Sequence, residues 1–586
     1  MFRECYEQYL EWRRRATADP DVSSEIAGML PDVICTGSAT VAPGGARSET
    51  EPQCPESLAG AFSEGLSFGT AGLRGVIGAG ISRMNVYTVG RATQGLASYI
   101  SARCTEGKRS AAVGYDSRIK SELFAKTAAG ILAANGIKCF IYDRLMPVPC
   151  LSFAVRKLGC FSGIMITASH NPSKYNGYKV FGSDGCQITE SAAGEISALI
   201  SNVDCFSDVR SVSFEEGLAS GMIEFIGADV TDAYIEAVAG ESLIMPGDDI
   251  DRNIPIVYSP LHGTGLGPVC RILRERGFGN ITVVKEQAEP DGNFPTCPFP
   301  NPEIREALSL GIDYARRMNA ELMLATDPDA DRVGIAVREG DDYRLMTGNE
   351  VGILLTDWIC ARRTSLGMMP RDPEIVKTIV STPLADKVAK SYGVKTVNVL
   401  TGFKYIGEQI ADLEKKGSAD SFIFGFEESY GYLAGSYVRD KDAVVASMLI
   451  CEMYAFYRSE GKTLPGRLSE IYQRYGYCLN TQHSFYFEGI DGKEKMSAIM
   501  SGLRRGFAEL GGIRILSVTD YLPGIDRLPP SDVIQLGLEG GSSVIVRPSG
   551  TEPKVKAYIS VVAPGPEEAG DEEKRLSEAV AALMRV

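Results

Sequence analysis

A serine that opens onto a tight turn is a candidate nucleophile, and Thr167-Ala168-Ser169-His170-Asn171-Pro172 offers one. Pro172 restricts Asn171 and so fixes the turn. A serine hydroxyl attacks poorly unless a base or a charge assists it; His170 and Lys179 are both near in sequence. The competing reading is that Ser169 caps a helix. Further along, Asp327-Pro328-Asp329-Ala330-Asp331-Arg332 places three carboxylates at alternate positions in a short loop. Carboxylates so spaced can converge on one hard cation, and an oxygen-only donor set favours Mg²⁺, which takes a few carboxylates plus a phosphate oxygen. A calcium-binding helix–loop–helix motif would want Gly and Glu where Arg332 and Arg338 stand. A haloacid-dehalogenase loop would want Thr or Val in place of Asp331. A solvated acidic turn is the plain alternative.

Two more loops carry groups suited to a sugar phosphate. Gly425-Phe426-Glu427-Glu428-Ser429-Tyr430-Gly431 offers carboxylates that can accept strong, charge-assisted hydrogen bonds from sugar hydroxyls. Arg439-Asp440-Lys441-Asp442 follows with positive charge, or else forms a surface ion-pair cluster of little energetic value. Arg547-Pro548-Ser549-Gly550-Thr551-Glu552-Pro553 combines a guanidinium fork, two hydroxyls and a glycine that lets backbone N–H groups approach an anion. A plain turn between strands is its alternative. It lacks the G-x-x-x-x-G-K-[ST] spacing of a nucleotide-binding P-loop, and the glycines at 263, 265 and 267 miss the dinucleotide pattern at Pro268.

These loops share a setting. A short apolar run precedes each: Gly163–Ile166, Ile254–Tyr258, Leu322–Leu324, Phe422–Phe424 and Ser543–Val546. Each reads as a strand whose carboxyl end opens into a loop, the position where open α/β sheets bind ligands. Helical patterns at 86–101 and 121–135 alternate with apolar runs such as 138–142, which predicts parallel sheets with crossover helices. Residues 2–30 read as one helix, 36–55 as a Gly-, Ser- and Pro-rich loop, and 563–573 as an exposed acidic loop before a final helix. Several strand-end loops spread along the chain predict several modules facing one cleft, with boundaries near Asp208, Arg344 and Thr463.

The chain has 586 residues, enough for several domains. Its net charge of −15, from 60 basic and 75 acidic residues, argues against nucleic-acid binding, which needs a basic footprint. The 14 cysteines run from Cys5 to Cys478 with no C-x-x-C pair, so reduced thiols in a cytoplasmic protein are expected rather than zinc or disulfides. Met1 to Tyr9 is charged and lacks the apolar core of a signal peptide. The longest apolar candidate, 444–457, is interrupted by Ser447 and Glu452, so no membrane span is expected.

Taken in order, the motifs resemble the α-D-phosphohexomutase superfamily: a phosphoserine loop, a D-x-D-x-D metal loop, a sugar loop and an R-P-S-G-T-E-P phosphate loop. Phe68 to Val76 is similar to the family's N-terminal signature, and Thr401–Gly407 and Val438–Asp442 resemble its long phosphoglucomutase/phosphopentomutase branch. The likeness runs from about Ser67 to Ile559. It implies an α/β, four-domain architecture: three similar mixed α/β domains and a smaller C-terminal α+β domain around a central cleft. The expected divisions are an extension at 1–58, then domains at 59–208, 209–344, 345–463 and 464–586.

The resemblance further implies that Ser169 carries a phosphate completing a Mg²⁺ shell with Asp327, Asp329 and Asp331, one ion per chain. His170, Lys179 and Arg74 would stabilise charge or move protons. Arg332, Thr401, Gly402, Glu427, Glu428, Ser429, Arg439, Lys441, Arg547, Ser549, Gly550 and Thr551 would bind substrate. Phe426 stands where many relatives pass directly to Gly-Glu, which leaves Glu427 and Glu428 both open as the sugar contact; Ala443 stands where relatives often have Gly. The implied reaction interconverts glucose 1-phosphate and glucose 6-phosphate, with glucose 1,6-bisphosphate as intermediate and activator, in a monomer or homodimer. Mannose or pentose phosphates, bisphosphate synthesis, a hydrolase and an inactive regulatory paralogue are the alternatives.

Overall fold

A computed structural model describes residues 2–29, 56–70, 72–487, 492–525, 528–549 and 554–585. Four sheets follow one another along the chain. The first contains β1 (Leu73–Val76), β2 (Ser110–Tyr115), β3 (Lys138–Ile141), β4 (Ser162–Ile166), β5 (Tyr175–Gly182) and β6 (Ile223–Phe225) in the order β1-β5-β4-β2-β3-β6. The second contains β7 (Ile256–Ser259), β8 (Ile281–Val283), β9 (Leu322–Thr326), β10 (Val333–Glu339) and β11 (Asp342–Met346) in the order β11-β10-β9-β7-β8. The third contains β12 (Glu374–Thr378), β13 (Lys395–Val399), β14 (Phe422–Glu427) and β15 (Gly431–Leu433) in the order β13-β12-β14-β15.

Their central strands β4, β9 and β14 are buried at every position, which is why they read as unbroken apolar runs rather than alternating ones. The sheets are mixed, not parallel throughout. β4, β9 and β14 each run parallel to one neighbour (β2, β7, β12) and then return as an antiparallel hairpin partner (β5, β10, β15). The Ser169, Asp327 and Glu427–Ser429 loops are therefore the turns of three equivalent hairpins. The crossover pattern expected from helix–strand alternation overlooked these hairpins because tight turns contribute no helix.

The fourth sheet is antiparallel and six-stranded: β16 (Tyr477–Tyr486), β17 (Glu509–Leu510), β18 (Ile513–Asp520), β19 (Ile534–Leu538), β20 (Ser543–Pro548) and β21 (Lys554–Ala563), ordered β16-β21-β20-β19-β18-β17. It packs its own core against helices Gly492–Arg505 and Pro566–Leu583.

Hydrogen bonding moves the expected divisions. β6 pairs with β3, so the first sheet continues past Asp208 to Phe225. β11 runs through Arg344 to Met346. Helix Leu464–Tyr475 stays with the third unit, where Arg467 forms a bond of 2.7 Å to the buried Asp357 of helix Gly348–Ser365. The N-terminal segment is two helices, Phe2–Arg15 and Pro20–Gly28, rather than one. The chain breaks at Asp19, whose carboxylate accepts from Asp21 N at 2.9 Å, and Pro20 occupies the first helical turn. Both pack on the first unit through Tyr9, Trp12, Phe62 and Tyr87. The predicted 36–55 loop lies outside the described residues. The acidic stretch at 563–573 is mostly helix: Pro566 starts it, and Glu567 and Glu568 sit in its first turn, where negative charge suits the helix dipole.

Candidate active site

The turn after β4 does not lead into a helix but back into β5, so Ser169 caps nothing. It holds a left-handed backbone (φ 52°), a conformation that costs a non-glycine residue about 1–3 kcal/mol and persists only where its surroundings enforce it. Those surroundings are visible. Ser169 N donates to Thr167 Oγ1 at 2.9 Å. Arg118, fully buried just past the end of β2, directs its guanidinium at the carbonyl oxygens of Ser169, Asn171, Pro172 and Tyr175, the last two at 3.0 and 3.1 Å. Asp116 lies 3.3 Å from Arg118 Nε.

The strained turn aims Ser169 at the second unit. Its Oγ donates to Asp327 Oδ2 at 2.8 Å and lies 3.1 Å from His170 Nδ1. Thr167 Oγ1 donates to Asp329 Oδ2 at 3.1 Å. The three aspartates are at most 1% exposed, which removes the solvated-turn reading. One oxygen from each lies within 4.8 Å of the others. Asp327 Oδ1 accepts from Asp331 N and Arg332 N at 3.1 and 3.0 Å. By contrast Asp329 Oδ1 and Asp331 Oδ1 are buried with no hydrogen-bond partner. Orphaned, buried carboxylate oxygens converging with a third carboxylate fit a hard divalent cation.

The loop is braced from behind. Thr264 donates to Pro328 O through both N and Oγ1, at 2.8 and 3.0 Å, and a Cβ on Gly263 would come within 2.4 Å of Pro328 Cα. The glycines after β7 thus serve close packing against the aspartate loop, in line with their failure as a dinucleotide motif.

Two lysines converge from separate units. Lys179 on β5 is 2.9 Å from Asp329 Oδ2 and 3.6 Å from Asp331 Oδ2; Lys441 is 3.0 Å from the same Asp331 oxygen. Arg332 is held by Glu303 at 2.7 Å. Charge balance follows. Burial pushes the Asp327 carboxyl well above its usual range, and the charges of Asp329 and Asp331 push the same way. Burial would also raise Asp331, but Lys441, Lys179 and Arg332 together hold it below the ordinary range. Burial works against the charge on Lys179 and Lys441, yet the aspartates keep both raised and protonated. Burial, then Arg332 and Arg74, keep His170 neutral.

The sugar-loop glutamates part company. Glu427 Oε1 accepts from Gly402 N at 2.9 Å, and Lys441 and Arg332 are the cations facing it. Glu428 Oε2 accepts from Thr378 Oγ1 at 3.1 Å; burial, then the Glu427 charge, lift its carboxyl to about 7. It looks toward the fourth unit, where Tyr558 faces Glu428, Arg547 and Glu427 together. Ser429 lies on the turn after β14, partly exposed, and Thr401 Oγ1 is buried without a partner. Arg74 on β1 is exposed, with Nη1 3.5 Å from Asn171 Oδ1. Arg547 and Ser549 lie at the end of β20, where Ser549 N donates to Lys554 O at 2.8 Å. Gly550 and Thr551 lie outside the described residues.

Arg439 is not brought to this cluster. It is fully buried, with its guanidinium on Glu414 at 2.7 Å and on the carbonyls of Ser436 and Val438, and Glu414 also binds Arg156 of the first unit. Its position two residues before Lys441 suggested a substrate contact, but the chain bends here and Glu414 with the Ser436 and Val438 carbonyls hold the guanidinium away from the aspartates. Arg118, Glu303 and Thr264 are the site residues that motif reading passed over. Arg118 carried a usable signal, since Asp116-Ser117-Arg118 directly follows an apolar strand as the other site loops do.

Comparisons with known proteins agree with this layout. Models of the phosphoglucomutase/phosphomannomutase α/β/α domains I, II and III match residues 65–205, 232–340 and 347–475. A phosphoglucomutase of Staphylococcus haemolyticus is 37% identical over 514 residues, 85% of this chain and 91% of that protein. Parafusin, a phosphoglucomutase from Paramecium solved in an open form, superposes with a TM-score of 0.66 at 18% identity, covering 89% of this chain and 95% of its own. An N-acetylphosphoglucosamine mutase from Aspergillus fumigatus, solved with GlcNAc-6P and magnesium, gives 0.50 at 16% identity, covering 89% and 96%.

Proposed function

The chain belongs to the phosphoglucomutase/phosphomannomutase family, and from that premise we propose that it is a phosphoglucomutase, an isomerase that exchanges glucose 1-phosphate and glucose 6-phosphate through phospho-Ser169 and glucose 1,6-bisphosphate. The observation that carries the reading is the hydrogen bond of 2.8 Å from Ser169 Oγ to Asp327, made across two units by a strained serine.

In the forward half-reaction the bond from the phosphoryl group to Ser169 Oγ breaks as a bond to the free sugar hydroxyl forms. The sugar hydroxyl gives up its proton, and Ser169 Oγ takes one. The bisphosphate turns over in the cleft, and the second half-reaction reverses these changes at the other hydroxyl. Little covalent assistance is needed, so positioning and charge neutralisation do most of the catalysis. Lys179 and Lys441 supply fixed positive charge beside the transferring group. Asp327 Oδ2 and His170 Nδ1, at 2.8 and 3.1 Å, are the groups that hold or release the serine proton. Asp327, Asp329 and Asp331 with the phosphate of Ser169 would hold one Mg²⁺, which when bound neutralises charge on the transferring phosphoryl group. Their orphaned oxygens support that assignment, as does the magnesium bound by the Aspergillus mutase.

Glu427 and Ser429 take the sugar hydroxyls, Glu427 being the glutamate that faces Lys441 and Arg332. Arg547, Ser549, Gly550 and Thr551 take the phosphate that is not reacting. The basic cluster answers the overall acidity, since an anionic substrate meets local positive charge. Free thiols at the described cysteines support a cytoplasmic setting, and among the described residues no helix is long and apolar enough to cross a membrane.

The test is conversion of glucose 1-phosphate in a dehydrogenase-coupled assay with Mg²⁺ and a trace of glucose 1,6-bisphosphate. Turnover lost in Ser169→Ala supports the reading. No turnover by a wild-type protein phosphorylated on Ser169 removes glucose phosphate as the substrate.

A further inference from the structure

A cavity of about 150 Å³ lies outside the catalytic cleft, lined by Ser242, Ile244, Arg252, Arg276, Phe278 and Glu452. It sits where the segment after helix Ala228–Gly240 and the end of helix Leu266–Glu275 meet the middle of helix Ala443–Ser459. Glu452 is 1% exposed, and both its oxygens are already engaged: Oε1 accepts from Ser242 Oγ at 2.5 Å and Oε2 from Leu243 N at 3.0 Å. The wall is rigid, because Arg362 of helix Gly348–Ser365 holds Leu243 O at 2.9 Å.

The two arginines are placed differently from most in this molecule. Arg271, Arg332, Arg362, Arg363, Arg458 and Arg467 each have a carboxylate within 3.0 Å. Among the described residues, neither Arg252 nor Arg276 has a carboxylate at ion-pair distance, Glu452 included, and Arg276 Nε is buried without a hydrogen-bond partner. Both flank one turn: a Cβ on Gly277 would meet Arg252 Cδ at 2.8 Å. Two guanidinium groups against one spoken-for carboxyl leave the cavity positive in a chain of net charge −15.

We propose that this cavity is a binding site for a small phosphate-type oxyanion, held between the guanidinium groups of Arg252 and Arg276. Paired planar forks match the geometry of phosphate oxygens. At about 150 Å³ the cavity is roughly ten times the ~10–15 Å³ that admits one water, which leaves room for a tetrahedral oxyanion. Burial raises the Glu452 carboxyl to about 7, with Ser242, Leu243, Arg276 and Arg252 opposing, so repulsion from that wall is weak near neutrality.

Crystals soaked in selenate give a position-specific test. An anomalous peak is expected within hydrogen-bonding distance of both guanidinium groups, and its absence at a concentration that fills the catalytic cleft overturns the assignment. In solution, calorimetric titration of the full chain with inorganic phosphate is compared with Arg252→Gln/Arg276→Gln. Both side chains are partly exposed and unpaired, so the variant keeps its melting temperature. The variant is expected to lose one binding event or weaken it at least tenfold; identical isotherms refute the site. A parallel titration with methyl phosphate separates the sources: equal binding assigns the phosphate end of a metabolite, and loss of binding assigns free phosphate.

Discussion

Arg118→Ala tests whether the loop of the proposed nucleophile Ser169 is held by a single buried side chain. Its guanidinium serves four carbonyl oxygens of the Ser169–Tyr175 turn and neighbours the buried Asp116. Removing one member of a buried charge pair costs about 3–5 kcal/mol, because the other is left uncompensated. A chain with ordinary stability of about 5–15 kcal/mol stays folded but melts earlier. Asp116→Asn/Arg118→Ala, with both charges gone, should recover part of that loss. Catalysis should not recover with it. A displacement of about 1 Å at the reacting group costs about 10²-fold, near 2.7 kcal/mol of transition-state stabilisation. The coupled assay, run well below the melting temperature of each variant, should show kcat down about 100-fold. KM should stay within about threefold, since the proposed sugar and phosphate contacts lie on the third and fourth units. Arg118→Lys should fall between, because an ammonium lacks the planar fork. If Arg118→Ala loses stability yet keeps kcat within twofold, the turn is self-supporting and the reasoning fails.

Asp329→Asn should raise the Mg²⁺ concentration for half-maximal activity at least tenfold, and a metal titration that matches wild type would count against the three-aspartate site. Chelation should lower the melting temperature, because an ion at 100 times its Kd contributes about 2.7 kcal/mol; Asp329→Asn should show a smaller drop in calorimetry. Gly263→Ala should lower kcat with little change in KM, since its Cβ would press on Pro328 at 2.4 Å and overpacking of this kind costs about 1–3 kcal/mol. Arg439→Ala should destabilise the fold without raising KM for the phosphosugar, as denaturation and kinetics would separate. For Glu452, burial lifts the carboxyl from 4.5 to about 7. The folded chain then keeps a proton the unfolded chain releases, so this contribution is complete below pH 4.5 and is lost as pH rises through 7. Denaturant midpoints of Glu452→Gln should lack that loss, on the order of 3 kcal/mol.

Local chemistry was legible in the sequence where a strand ended in a loop dense in carboxylates and hydroxyls. The burial of β4, β9 and β14 enforces continuous apolar runs, and the groups after them are confined to a few positions by the turns. What was not legible depended on partners remote in sequence. Arg118 looks like any loop arginine until the Ser169 turn folds over it, and Arg439 looks like a neighbour of Lys441 until its side chain reaches Glu414. The hairpin returns were hidden because β5, β10 and β15 are separated from their partners by turns rather than by helices. Asp19 and Pro20 did signal a helix break, but the apolar residues on either side outweighed it in a reading by periodicity alone.

The cluster around Asp331 also has a history in time. Its proposed nucleophile, Ser169, comes from the first unit, its carboxylates from the second and one of its two lysines from the third. A ribosome adding about 5–20 residues per second places Lys441 on the order of ten to fifty seconds after Ser169. Lys179 can meet Asp329 and Asp331 once the second unit is made, but until the third unit emerges the cluster lacks its second lysine. The cluster is therefore completed in stages, and its last charge arrives with the third unit.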